Sequence, residues 1–513
     1  MANELHFPLF HGYVDRWLVS GVTETPVITK PTALHGAENE KLNTAPKDKP
    51  GEEQFKAERR AKATAWPAQL DTRPGGLVGG ADNATPFTVY WPFDDIGVTY
   101  AWDCETPACL SAWAYTELDA AEAGSVPFDL ITCGGAALWL NGEKLTEVTP
   151  YHHNEPVPTP LTLPLQKGRN KLLVFFDNYA ERDATIILRL RWKGEGTAPE
   201  QVIPVGEADA ACLAEAEHLM RSLAFHRNHF TAGPVLLDYD GADIAESYHL
   251  AFVGGTEENV KGGVLFRREA DTLPHASQIS LGDCKTFPLA FLLLQVTTEV
   301  EGIRLTRPIS VEIHTESVLP RALPTVAERK RQALELLARW GEQNTNRALA
   351  ILATGGDTAE AEKLLAVQSD YIRRRFDCSD FYLVYYPYIL RTFGKRGSGI
   401  LSEKTENELT DCLLGFRYWI DEPGNDAMWF WSENHALMFH TCQLLAGELF
   451  PDEVFTNSGL TGRQMQAKAK NMLYDWFVTF RKEGFTEWNS SPYLPIDTLG
   501  FGSLYAFAQD PAM

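Results

Sequence analysis

The pattern of hydrophobic and polar positions changes style along the 513-residue chain. From residue 1 to about 196, short apolar runs recur: WLVSGV at 17–22, FTVYWPF at 87–93, AALWLNG at 136–142, KLLVFF at 171–176 and TIILRLRW at 185–192. Gly, Pro, Asn and Asp separate them, which is the spacing of an antiparallel β-sandwich of jelly-roll type. Residues 35–65 carry few large apolar side chains and read as an insertion or loop. Residues 208–224 keep a helical period, and then β-type segments return (PVLLDYD, SYHLAFVGG, LAFLLLQVTT, PISVEIHTE) as a second, smaller β region. SVLPRALP at 317–324 reads as a linker.

Beyond the linker the period becomes helical. TVAERKRQALELLARWGEQ, TAEAEKLLAVQSDYIRRRF, EKTENELTDCLLGFRYWI and TGRQMQAKAKNMLYDWFVTFRK are amphipathic. Between them lie segments apolar on nearly every side, at 380–393, 433–450 and 497–509. A helix apolar all round is an enclosed one, so the alternation predicts inner helices wrapped by outer ones, with a hairpin every 50 to 65 residues or about that. Three domains are expected, 1–196, 197–322 and 323–513, in keeping with roughly 150 residues per domain.

FDLITCGGAALWLNGEKL (128–145) followed by LTLPLQKGRNKLLVFFDN (161–178) resembles the accessory sandwich of β-galactosidase-type and α-rhamnosidase-type hydrolases. There a strand ends in a Trp-x-Asn-Gly turn, and a later Leu-x-x-Gly-x-Asn segment enters the next long strand. Asn141-Gly142 tolerates the positive φ of a two-residue hairpin turn, and Gly168-Arg169-Asn170 is expected to make a second turn of that sort. The helical region resembles the (α/α) toroid of polysaccharide lyases and glycoside hydrolases. Together these resemblances imply a carbohydrate substrate, a cleft in 323–513, and a sandwich that serves as spacer or sugar-binding module. A closed ring needs more chain than 323–513 supplies, so an incomplete toroid is expected, as in a fragment of a longer enzyme.

Composition adds to this picture. Thirteen Trp, seventeen Tyr and twenty-seven Phe suit sugar recognition, because a pyranose presents an apolar C–H face to an aromatic ring. The apolar fraction of 44% and charged fraction of 22% are ordinary. A net charge of −23 argues against nucleic acid or an anionic membrane as partner, since both need clustered Lys and Arg. The one basic run, 56–62 (KAERRAK), reads as a solvated loop or short helix. The eight Cys are scattered without a CxxC pair, and only Cys104 and Cys109 are close enough in sequence to bridge. With no signal-peptide pattern and no long apolar stretch, a cytoplasmic location is expected, and a homo-oligomer is left open. No cofactor is expected. The pairs His152-His153 and His226-x-x-His229 lack partners at metal spacing, so no metal is expected either.

The chemistry points to AMWFWSENHALMFHT. Ser432 is placed to N-cap the enclosed helix, with Glu433, Asn434 and His435 in its first turn and Trp431 just before. Polar groups there are less costly if the helix mouth opens on a pocket, although capping alone would also account for Glu433. One hairpin later, GFTEWNSSPYLPID offers Glu487, Trp488, Asn489, Tyr493 and Asp497. One hairpin earlier, DCSDFYLVYYPY offers Asp377, Asp380, Tyr382, Tyr385, Tyr386 and Tyr388.

Two mechanisms fit. The resemblance to toroid lyases implies β-elimination on a uronate-containing glycan: Asn434 would neutralise the carboxylate, His435 would take the C5 proton, and Tyr386 or Tyr493 would serve the leaving oxygen, with Arg391 as a clamp. Glu433 stands where that family's pattern has a first Asn. Hydrolysis by paired carboxylates is the other, with Glu433 and Glu487 or Asp497. The sequence favours elimination slightly. A non-catalytic glycan-binding protein is the third reading, in which these residues only recognise sugar.

Overall fold

A computed structural model describes residues 3–26, 65–93, 95–104, 107–152, 154–180, 183–254, 266–289, 291–314, 325–424, 426 and 428–510. All but the last residue of the loop read at 35–65, the basic run at 56–62, His153 and the linker at 317–324 lie outside the described residues. The chain is a mixed α and β protein, rich in antiparallel sheet, and forms two compact bodies, one within 3–314 and one within 325–510.

In the first body an 11-stranded sheet, with Ala108–Ala120 and Gly168–Ala180 at its centre, faces a five-stranded sheet that includes Gly124–Thr132 and Asp183–Trp192. Leu110, Ala112, Leu138 and Val174 of the large sheet and Phe128, Leu130, Ile186 and Leu188 of the small one share a buried core, so the two form a sandwich. Along Ala108–Ala120 the burial alternates at first and is then nearly continuous. Tyr115, with Trp139 and Leu173, packs on the other side against Leu219, Phe252 and Val296 of the second β region. A sheet covered on both faces loses its polar alternation.

That second covering joins the two β regions into one body. The strand Glu200–Gly206, beyond the boundary expected at 196, pairs back with Asn3–Phe7 and Ala108–Ala120 of the large sheet. Helix α1 (Ala210–Ser222) follows, capped by Asp209, whose carboxylate accepts from the Ala211 N–H at 2.7 Å.

Asn141 and Gly142 both have positive φ, 52° and 88°, and join strands Gly135–Leu140 and Glu143–Val148. The second expected turn differs. Only Gly168 has positive φ there, while Arg169 and Asn170 already pair in the long strand with Asp119 and Leu118. The fully buried Asn170 holds the bend instead, accepting from the Gln166 N–H at 2.8 Å and from the Asn141 amide at 3.2 Å. The asparagines of the two motifs therefore bind each other. All eight Cys are thiols, so Cys104 and Cys109 form no bridge.

The second body is helical: α2 (Val326–Trp340), α3 (Thr345–Ala353), α4 (Thr358–Arg373), α5 (Ser379–Leu383), α6 (Tyr386–Phe393), α7 (Glu403–Gly415), α8 (Glu433–Leu449), α9 (Gly462–Glu483) and α10 (Tyr493–Phe507). The segment 380–393, expected as one helix, is two, and Pro387 in the first turn of α6 explains the break, because it has no N–H to continue α5. α8 is enclosed, with every residue from Asn434 to Leu449 buried, and it packs against α5, α6, α9 and α10. α4 lies against α7 outside them. In chain order α2 packs on α3 and α3 on α4, and α6 packs on both α7 and α8.

α10 is as apolar as an inner helix, yet it buries only Asp497, Gly500, Ser503 and Leu504, the face toward α8. Gly500 permits the close approach, since a Cβ there would lie 2.8 Å from Leu437 Cγ and 3.3 Å from Met438 Sδ. Gly500→Ala is therefore expected to destabilise this body by about 1–3 kcal/mol through overpacking, as read by chemical denaturation. An unchanged midpoint would mean that the α8–α10 contact is loose.

Candidate active site at two helix mouths

The N-terminus of α8 and the loop before α10 meet through side chains that cross between them. Ser432 occupies the N-cap but its hydroxyl makes no capping bond. Glu433 reaches across instead, and its two carboxylate oxygens accept the N–H groups of Thr486 and Glu487, each at 2.9 Å. Trp476 of α9 supports the same turn by donating its indole N–H to the Glu433 carbonyl at 3.1 Å.

The loop that receives Glu433 is shaped by its sequence. Gly484 ends α9 at φ 75°. Asn489 adopts φ 57°, a left-handed conformation that asparagine tolerates better than most residues. Glu487 then points back, and the Asn434 amide donates to both its oxygens, at 2.7 and 2.8 Å.

Asp497, one turn before Gly500 on the same face of α10, completes the group. One oxygen each from Glu433, Glu487 and Asp497 lie within 4.8 Å of one another. Asp497 is 0% exposed, and neither of its oxygens has a hydrogen-bond partner. Burial, reinforced by the charges of Glu433 and Glu487, pushes its carboxyl up to about 7. Three carboxylates at this range repel one another, and the proton is retained at Asp497, the member taken out of water. Glu433 and Glu487 are only half-buried and offer the accessible edge.

Aromatic residues flank this edge in the chain. Trp488 is 84% exposed beside Glu487, and Tyr493, at the first position of α10, is also exposed. Trp431 is half-buried with its ring 4.7 Å from that of Trp429.

His435 belongs to a second group. Its Nδ1 lies 2.9 Å from Asp380 Oδ2, at the buried start of α5, and its ring stacks on Phe381 with centroids 4.7 Å apart. Its Nε2 faces Asp377 Oδ1 at 3.8 Å. Donor atoms of Asp377, Cys378 and His435 lie within 4.8 Å of one another. Cys378 has φ 65°, the kind of backbone strain that tends to persist at functional sites. Burial raises the Asp380 carboxyl while His435 opposes the shift.

The residues named from sequence are thus brought together in part. Glu433, Asn434, Glu487 and Asp497 meet, with Trp431, Trp488, Asn489 and Tyr493 on the same segments. Tyr386 does not join them. It is fully buried in the helical core, its hydroxyl 2.9 Å from Ser369 Oγ, and burial holds its phenol well above the usual value. Tyr386→Phe is expected to lower stability by about 1 kcal/mol with little change in any turnover, because a solvated leaving oxygen has no route to it. A large loss of turnover with unchanged stability would return it to the site.

Tyr382 is half-buried against Tyr371, its ring edge-on at 6.0 Å, and burial pushes its phenol up to about 12. Arg391 cannot clamp a substrate at the α8 mouth. It donates to the Phe507 carbonyl at 2.8 Å and lies 3.6 Å from Glu448, at the far end of α8, roughly 20 Å away along the helix axis. The sequence named Asp377 and Asp380 at this mouth without a chemical role and passed over Cys378. The polar run Asp-Cys-Ser-Asp before an apolar segment is their only signal, and the partner His435 lies 55 residues from Asp380.

Of the histidine pairs, His226 lies 2.9 Å from Asp238, and the His229 ring is 6.4 Å from that of His314. Among the described residues no helix is long and apolar enough to cross a membrane.

No protein-family model matches the chain, and no curated protein matches it. Similar solved structures include a β-glycosidase from Bacteroides vulgatus, 10% identical, with 60% of this chain and 34% of that one covered and a TM-score of 0.15. The β-glucuronidase from Parabacteroides merdae is 11% identical, with 54% and 42% covered and a TM-score of 0.14. An anti-sigma factor domain-containing protein from Clostridium clariflavum is 8% identical, with 44% and 92% covered and a TM-score of 0.18. The chain spans less than half the length of the two glycosidases. Likenesses at this level carry no functional argument, which rests on the site itself.

Proposed function

We propose that this chain is a carbohydrate-active enzyme that cleaves glycosidic bonds by hydrolysis, using the carboxylates at the mouths of α8 and α10. The observation that carries the reading is the group Glu433, Glu487 and Asp497, with a buried carboxyl raised to about 7 beside two half-buried carboxylates. Glycoside hydrolysis needs one carboxylic acid and one carboxylate at the same pH, and the raised carboxyl of Asp497 beside two further acidic side chains suits that need. Glu487 is the base or nucleophile, held by Asn434 and only half-buried. Glu433 is fixed by two backbone N–H groups and reaches the same edge, and Asp497 holds the proton behind them. Separations below 4.8 Å leave no room for a water between the carboxylates, which supports a retaining course. Trp488 and Tyr493 offer faces for the sugar rings.

Elimination draws less support. Its neutralising amide, Asn434, is committed to Glu487, and its base, His435, is 4% exposed with Nδ1 held by Asp380. A panel of aryl glycosides and uronate-containing oligosaccharides tests the reading. New reducing ends without the ultraviolet absorbance of an unsaturated product are expected. That absorbance would restore elimination, and binding without any product would leave a glycan-binding protein.

A further inference from the structure

We propose that Asp377, Cys378 and His435 bind a single zinc-class divalent cation, a site separate from the carboxylate group and independent of the hydrolytic reading. The three offer one carboxylate oxygen, one thiolate sulfur and one imidazole nitrogen, all within 4.8 Å of one another. In a tetrahedral zinc site, bond lengths of about 2.0–2.3 Å place neighbouring donors roughly 3.3–3.8 Å apart. Here Cys378 Sγ is 3.4 Å from Asp377 Oδ2, and His435 Nε2 is 3.8 Å from Asp377 Oδ1. Asp377 thus stands at about coordination spacing from both other ligands, through a different oxygen to each, and all three donors lie within 4.8 Å, so a bound ion would draw the side chains together by rotation.

The support behind the ligands is the stronger part of the case. Asp380, fully buried, engages His435 Nδ1 at 2.9 Å. A carboxylate at Nδ1 keeps the ring proton on that nitrogen and leaves the Nε2 lone pair directed at Asp377. This is the carboxylate–histidine–metal arrangement that orients a ligating imidazole and raises its basicity. Phe381 stacked on the ring fixes its plane. Asp377 is 8% exposed and Cys378 only half-buried, so the group lies near the surface and an ion can enter. Thiolate with imidazole and carboxylate selects zinc over magnesium or calcium, which prefer all-oxygen shells. Three protein donors leave a fourth position for water.

The whole 513-residue chain, stripped with a chelator and titrated with Zn²⁺ against a chromophoric competitor, is expected to bind one ion per chain. Cys378→Ser and His435→Ala should each weaken binding by about 100-fold or more, and Asp380→Asn by about 10- to 100-fold. Cobalt(II) in place of zinc should give a thiolate charge-transfer band that Cys378→Ser abolishes. Cys378 is partly exposed, so its variant is expected to keep the wild-type circular dichroism even if His435→Ala unfolds. Absence of binding, or absence of the band in the wild-type protein, would overturn the proposal. So would an ion lost with Glu487→Gln but retained with Cys378→Ser, which would place the metal in the carboxylate group.

Discussion

Glu487→Gln is expected to lower turnover of whichever glycoside the panel identifies by about 10²- to 10⁴-fold, with a much smaller change in KM. The substitution keeps an oxygen that can accept from Asn434, so the loop between Gly484 and Tyr493 retains its anchor. What is lost is the negative charge, and with it the base or nucleophile. A second consequence separates chemistry from structure. Burial raises Asp497 most, and the charges of Glu433 and Glu487 add to it, so neutralising Glu487 lowers the Asp497 carboxyl from about 7 by the smaller share that Glu487 contributes. The alkaline limb of the pH–rate profile, where the Asp497 proton is lost, should move to lower pH in the residual activity. Wild-type turnover and an unmoved profile would remove Glu487 from the reaction.

Asp497→Asn is expected to make the helical body more stable in mild alkali. Between the usual aspartate value and about 7, the folded chain keeps a proton on Asp497 that the unfolded chain has released. The folded state therefore binds more protons, and stability falls as pH rises through that window. Below it the group carries no penalty; above it the full cost of a buried, unpartnered anion applies. A shift of about 3 units corresponds to roughly 4 kcal/mol as an upper limit. The asparagine variant carries no such penalty, so its unfolding temperature should match the wild type near about pH 4 and exceed it near about pH 8 by calorimetry. Parallel curves for the two proteins would show that Asp497 does not hold the proton. The same variant should also lower turnover, because the proton held behind Glu433 and Glu487 is gone.

The sheets were legible where the pattern was local. Asn141-Gly142 needed only two positive φ angles, which neighbouring residues cannot override. The neighbouring motif was less legible, since Asn170 acts through contacts with Gln166 and Asn141 that its own segment does not reveal. The enclosed character of α8 could be read directly, because every face of it is apolar. The break between α5 and α6 was also available in Pro387 but was masked by the apolar run around it. Tyr386 and Arg391 illustrate the converse error. Residue type suggested chemistry, and packing placed one in the core and the other at the wrong end of α8.

By itself the sequence determined the succession of β-type and helical regions, the enclosed helix, and the polar triplet at its mouth. These follow from periodicity and capping, which depend on neighbours a few residues apart. Only the tertiary structure decided that Glu433 holds the Glu487 loop, that Gly500 lets Asp497 sit beside both, and that Asp380 orients His435 toward Asp377 and Cys378. Those relations join residues 53 to 64 positions apart (433 to 486, 433 to 497), and the strength of charge–charge coupling falls with distance in space, which spacing in the chain does not fix.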